Sequence, residues 1–144
     1  MRSRFIYLLS VAHRRLHAAI VHDGDGQTAA RAGLLMALSP ERGTPMAQLG
    51  QALDLGAPGI SNLVERAVRA KLIERVPDPA DGRAWMIALT KTGLAKRKEA
   101  IEGARVLNAR LCEGFSDDEL AVVARWLEAV VHKFPKHNES GGEP

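Results

Sequence analysis

Asn62, Arg66 and Arg69 follow one another at spacings of four and three residues, in a stretch that opens at Pro58. On a helix these spacings bring side chains onto one face. Asn62 can take an adenine edge with both ends of its amide, Arg66 can reach guanine or a phosphate, and Ser61 can bond either. A second pair, Asp81 and Arg83, lies two residues apart in a loop otherwise made of small residues. A slender loop with one arginine can enter a minor groove, where the negative potential is concentrated. The neighbouring carboxylate can order that arginine in advance; the plainer alternative is a solvated surface pair, worth little.

A third group is His13, Arg14 and His17. The two histidines share a helix face, and Arg14 beside them can pair with a carboxylate. His-x-x-x-His can also hold zinc, but a site needs three or four ligands, and the spacing of His22, His132 and His137 compels no cluster. No metal site is expected, and surface or interface histidines are the competing reading. Cys112, the single cysteine, reads as a buried small hydrophobe, since Glu113 next to it argues against a sensor thiol. It also excludes an internal disulfide framework. No Gly-rich phosphate loop, nucleophile elbow or patterned acid pair occurs, so no catalytic residues, no cofactor and no enzyme are expected.

The elements that must position these groups follow from periodicity. Phe5, Leu8, Leu9, Ala12, Leu16 and Ile20 mark an amphipathic helix, closed by His22-Asp23-Gly24-Asp25-Gly26. Thr28 caps a second helix that runs through Leu38. Thr44-Pro45 reads as the cap and first residue of a third helix ending near Leu53. After a turn at Asp54–Ala57, Pro58 opens a fourth helix with Ile60, Leu63, Val64 and Ala67 turned inward, ending near Lys71. The period then shortens. Leu72–Val76 and Trp85–Leu89 are strand-like, and Pro77–Ala84 between them makes a hairpin loop. Thr90 begins a long helix with Leu94, Ile101, Ala104, Leu107 and Leu111 on one face. Ser116-Asp117-Asp118-Glu119 is a capping box, flanked by Phe115 and Leu120 as a hydrophobic staple. A last helix presents Leu120, Val123, Ala124, Leu127, Val130 and Phe134 on one face and stops at Pro135.

Two short helices around a tight turn, followed at once by a hairpin, describe a winged helix-turn-helix. In that arrangement the first residues of the second helix approach base edges, which adds Ala57, Pro58 and Gly59 to the candidate DNA contacts. Helix pairs of this kind also pack cores without binding anything. The charge distribution favours a polyanion-facing centre: residues 61–105 hold ten basic and six acidic residues, whereas residues 106–144 hold four and seven. The chain of 144 residues, 46% hydrophobic and 26% charged, has the composition of an ordinary globular domain. Its first apolar run is too short to span a bilayer, so no membrane anchor is read and a cytoplasmic protein is expected.

Leu55–Arg66, Leu72-Ile-Glu-Arg75, Asp78-Pro-Ala-Asp-Gly-Arg83 and Leu89-Thr-Lys-Thr-Gly93 resemble the multiple-antibiotic-resistance regulator (MarR) family of bacterial transcription factors. The wing Asp-x-Arg followed closely by Leu-Thr-x-x-Gly is the most specific part. The resemblance implies a homodimer formed by the first and last helices, bound to a pseudo-palindromic operator in double-stranded DNA. It also implies repression relieved by a small phenolic or aromatic carboxylate, held in a cleft between the dimerisation helices and the winged region. His13, Arg14 and His17 would be its polar lining, Met36 and Trp85 its apolar walls. Four positions depart from the family pattern. Gly56 stands where a Ser or Thr cap is common and Gly59 where Thr is common, Asn62 replaces a frequent Arg, and Lys71 replaces the Gly that commonly ends the recognition helix. A left-handed Lys71 costs about 1 kcal/mol relative to Gly.

The expected fold is thus mainly α with a small β-hairpin, a single domain over residues 1–144. Its winged lobe spans 28–93, its dimerisation helices 1–22 and 94–134, and its disordered tail 135–144. A winged module that binds protein, or a metal- or thiol-responsive regulator, are the alternative functions.

Overall fold

Ile60, Leu63, Val64 and Ala67 recur at the spacing of one helix face, and all four are buried. Leu34, Leu35 and Leu38, with Leu49, Leu72, Ile73 and Ile87, complete the core around them. These contacts belong to a computed structural model that describes residues 4–22 and 28–136. The turn expected at 23–26 and the tail beyond Lys136 lie outside the described residues.

The elements in chain order are α1 (Phe5–His22), α2 (Ala29–Ala37), β1 (Thr44–Pro45), α3 (Met46–Ala52), α4 (Ala57–Arg69), β2 (Ile73–Pro77), β3 (Trp85–Leu89), α5 (Lys91–Cys112) and α6 (Asp117–Lys133). The helices fall where the periodicity places them. Thr28 caps α2 by accepting from the Arg31 N–H at 3.2 Å. Ser116 and Glu119 form both halves of the capping box that starts α6.

The sheet is larger than the hairpin expected. Its order is β1-β3-β2, antiparallel throughout, with Ile73 opposite Leu89 and Pro77 opposite Trp85. The third strand consists of Thr44 and Pro45, opposite Ile87 and Met86. This corrects the reading of Thr44 as a helix cap. Pro45 is the residue before α3, which begins without a side-chain cap. Thr44 is buried instead, and its hydroxyl accepts from the Ser39 N–H at 3.4 Å.

The chain divides into two compact units, residues 1–101 and 102–144, with the division inside α5. The first holds the core and sheet. Within the second, no described residue is buried. Val122, Val123, Leu127, Val131 and Phe134 of α6 are all exposed. Cys112 is half-buried rather than enclosed. Arg105 grips Glu102 with two hydrogen bonds of 2.8 and 3.0 Å, and this holds the Glu102 carboxyl below its ordinary range. Both groups are fully exposed, so the pair adds little stability.

Candidate nucleic-acid interface

The buried stripe of α4 decides what its other face can do. With Ile60, Leu63, Val64 and Ala67 inward, Ala57, Pro58, Gly59, Ser61, Asn62, Arg66 and Arg69 are all exposed. Every base-contact candidate therefore points away from the core. Arg69 also approaches Glu65, one turn back, at 4.0 Å; this leaves Asn62 and Arg66 on the part of the face nearer the start.

The approach to α4 is made by a tight turn. Asp54 has a left-handed backbone (φ 55°), and the Leu55 N–H donates to the Gly50 carbonyl at 2.9 Å. Short polar side chains tolerate that conformation better than most. Gly56 precedes α4 without offering a side-chain acceptor. The other end is set by Lys71, whose φ of 60° confirms the left-handed turn that its position implies.

The loop between β2 and β3 is braced by its own aspartates. Asp78 Oδ1 accepts from the Ala80 N–H at 2.9 Å, and Asp81 Oδ1 accepts from the Arg83 N–H at 3.1 Å. Two backbone bonds close the loop, Asp78 N–H to Ala84 and Ala84 N–H to Asp81, both 3.0 Å. Asp81 thus fixes the backbone of Arg83, and the exposed guanidinium stands on a shaped loop.

The ligand candidates are dispersed. His13 and His17 do lie together on α1, ring centroids 6.0 Å apart, and with Arg14 they are exposed. Trp85 opens β3 opposite Pro77 and is more than half exposed. Met36 lines a cleft of about 500 Å³ whose other residues include Met86 and Arg97 but not Trp85 or any residue of α1. Sequence reasoning passed over Arg97. Its one signal was position: it lies one helical turn after the buried Gly93. Among the described residues, no group of three His, Cys, Asp or Glu could hold a metal ion, and no helix is long and apolar enough to cross a membrane.

The model of the MarR family matches residues 25–84, which hold α2 through the wing loop. An uncharacterised helix-turn-helix-type transcriptional regulator of Bacillus subtilis is 28% identical over 89 residues, covering 62% of this chain and 61% of that protein. The helix-turn-helix-type transcriptional repressor IacR of Pseudomonas putida is 30% identical over 73 residues, 51% of this chain and 44% of that one. The chain thus matches about half the length of these curated relatives. The crystal structure of the PcaV transcriptional regulator of Streptomyces coelicolor with its natural ligand superposes with a TM-score of 0.74. It covers 88% of this chain and 89% of its own at 27% identity. Helix order, wing and sequence likeness together make the chain similar to the winged-helix transcription regulators of the MarR family.

Proposed function

We propose that the chain is a sequence-specific DNA-binding repressor that works as a homodimer and releases a pseudo-palindromic operator when a small aromatic or phenolic carboxylate binds. The observation that carries this reading is the exposed face of α4, where Ser61, Asn62 and Arg66 stand over a fully buried apolar stripe. Such a helix in a major groove reads bases with its first turns, while Arg83 on the braced wing supplies a cation for the minor groove.

Homodimerisation is supported by what single chains leave uncovered. Phe5, Ile6, Tyr7 and Leu8 of α1 are each at least half exposed, and α6 buries no residue. Apolar surface of this extent marks an interaction face. A two-fold pair would set two copies of α4 about 34 Å apart, one turn of DNA. Repression is supported by the likeness to IacR, and ligand control by the likeness to PcaV. The test is anisotropy of labelled DNA from the region upstream of the chain's own gene, titrated at several salt concentrations. Tight binding that weakens steeply with salt and is lost in a scrambled duplex is expected. Equal affinity for both duplexes would overturn sequence-specific binding.

A further inference from the structure

Trp85 is the bulkiest side chain of the wing, and 58% of it is exposed. An indole left in water marks a contact surface, because it offers wide apolar area and one N–H donor. Strand alternation says which way it faces. Trp85, Ile87 and Leu89 share one side of β3, and their partners on β2 are Pro77, Arg75 and Ile73. The inner end of this side is core, for Ile73 and Ile87 are buried with the apolar stripe of α4. Its outer end leaves Arg75, Pro77 and Trp85 exposed. The exposed strip therefore runs from the edge of the core that α4 covers to the loop that carries Arg83.

Its chemistry suits a polyanion. None of these six residues is acidic, and by the same alternation Glu74 lies on the opposite side. Asp78 and Asp81 turn carboxylate oxygens to N–H groups of the loop itself. The Arg75 guanidinium and the Trp85 indole N–H have no hydrogen-bond or ion-pair partner among the described residues.

Duplex geometry supplies the occupant. A major groove and the minor groove beside it are divided by one sugar-phosphate strand. With α4 in the first and Arg83 in the second, that strand must cross the surface between them. We infer that Trp85 contacts this strand, its indole N–H donating to a phosphate oxygen and its ring lying on the adjoining sugar, with Arg75 beside it as the countercharge. The inference rests on the DNA-binding function proposed above and extends its interface from the helix and wing tip to the sheet between them. It gives Trp85 a place on the DNA face, in keeping with its absence from the cleft that Met36 lines.

Two readouts test it. Trp126→Phe leaves Trp85 as the single indole, and acrylamide quenching of its fluorescence reports its exposure; the difference between the parent and Trp85→Phe gives the same quantity. Saturation with duplex from upstream of the chain's own gene should lower that quenching roughly twofold or more, as burial in a protein–DNA interface requires. In anisotropy titrations Trp85→Ala should weaken every related duplex about three- to tenfold, because phosphates carry no sequence. Its dependence on salt should match the parent's, since a neutral donor releases no counterion, whereas Arg75→Gln should lower the slope by about one. Trp85→Phe, which keeps a ring and loses the N–H, should fall between the parent and Trp85→Ala. DNA binding with Trp85 quenched as in the free chain, or Trp85→Ala binding like the parent, would overturn this inference alone. Equal affinity for a scrambled duplex, with Trp85 protected by both, would leave it standing and overturn sequence-specific binding. Binding to neither duplex would overturn both.

Discussion

The Thr90 hydroxyl donates to the carbonyl oxygen of Lys71 at 2.7 Å, and Thr90 Oγ1 itself accepts from the Gly93 N–H at 3.0 Å. The Thr90 N–H meanwhile reaches Leu72 at 3.1 Å. One side chain therefore caps α5 and pins the left-handed residue that ends α4. Thr90→Val keeps the shape and loses both hydroxyl bonds, so chemical denaturation should show a loss of about 1–2 kcal/mol. Lys71→Gly should raise stability by up to roughly 1 kcal/mol, because glycine adopts that conformation without strain.

Gly93 is the steric partner of this junction. A Cβ there would lie within bonding distance of the Leu72 carbonyl oxygen, an overlap only backbone movement could relieve. Gly93→Ala should cost roughly 3 kcal/mol or more, at the upper end for overpacking. An unchanged denaturation midpoint would show that α5 can slide away from β2.

Asn62 and Arg83 should separate by the kind of loss they cause. Asn62→Ala is expected to cost about 1–3 kcal/mol at one operator position and relax the preference there. Arg83→Ala should weaken all related sites by a similar factor and flatten the salt dependence by about one unit of slope. Asp81→Ala should produce a milder version, because it frees the loop backbone while keeping the cation. Titrations against single-base operator variants make the distinction; Arg83→Ala binding every site like the parent would remove the wing from DNA.

Sedimentation at micromolar concentration should give a dimer. Leu127→Glu places a charge among exposed apolar residues of α6 without touching the core, so it should shift the equilibrium to monomer while circular dichroism stays the same. A parent chain that sediments as a folded monomer would end the homodimer reading.

The legible parts of this chain were those whose signal is local. Ile60, Leu63, Val64 and Ala67 declare their face by spacing, and Ser116 with Glu119 declares a helix start three residues apart. Strand β1 was hidden because two residues have no period, and Thr-Pro is also how a helix begins; only pairing with Met86 and Ile87, some forty residues later, makes it a strand. Arg97 was hidden for a different reason. Between Lys96 and Lys98 it looks like one more solvated charge, and only the fold brings it to a cleft lined by Arg42, Gly43 and Met86.

The prolines of the sheet carry a consequence for how copies of this chain can meet. In the order β1-β3-β2 both outer strands are open to a neighbour. Yet β1 is two residues long and ends in Pro45, while β2 shows Glu74 and Arg75 to solvent and ends in Pro77. Proline offers no N–H to an incoming strand, and charged or very short edges discourage one. Strand-to-strand stacking of wings, the ordinary route from an exposed hairpin to fibrils, is blocked on both sides. The proposed homodimer, built on exposed helix faces, would instead close about a two-fold axis and not propagate.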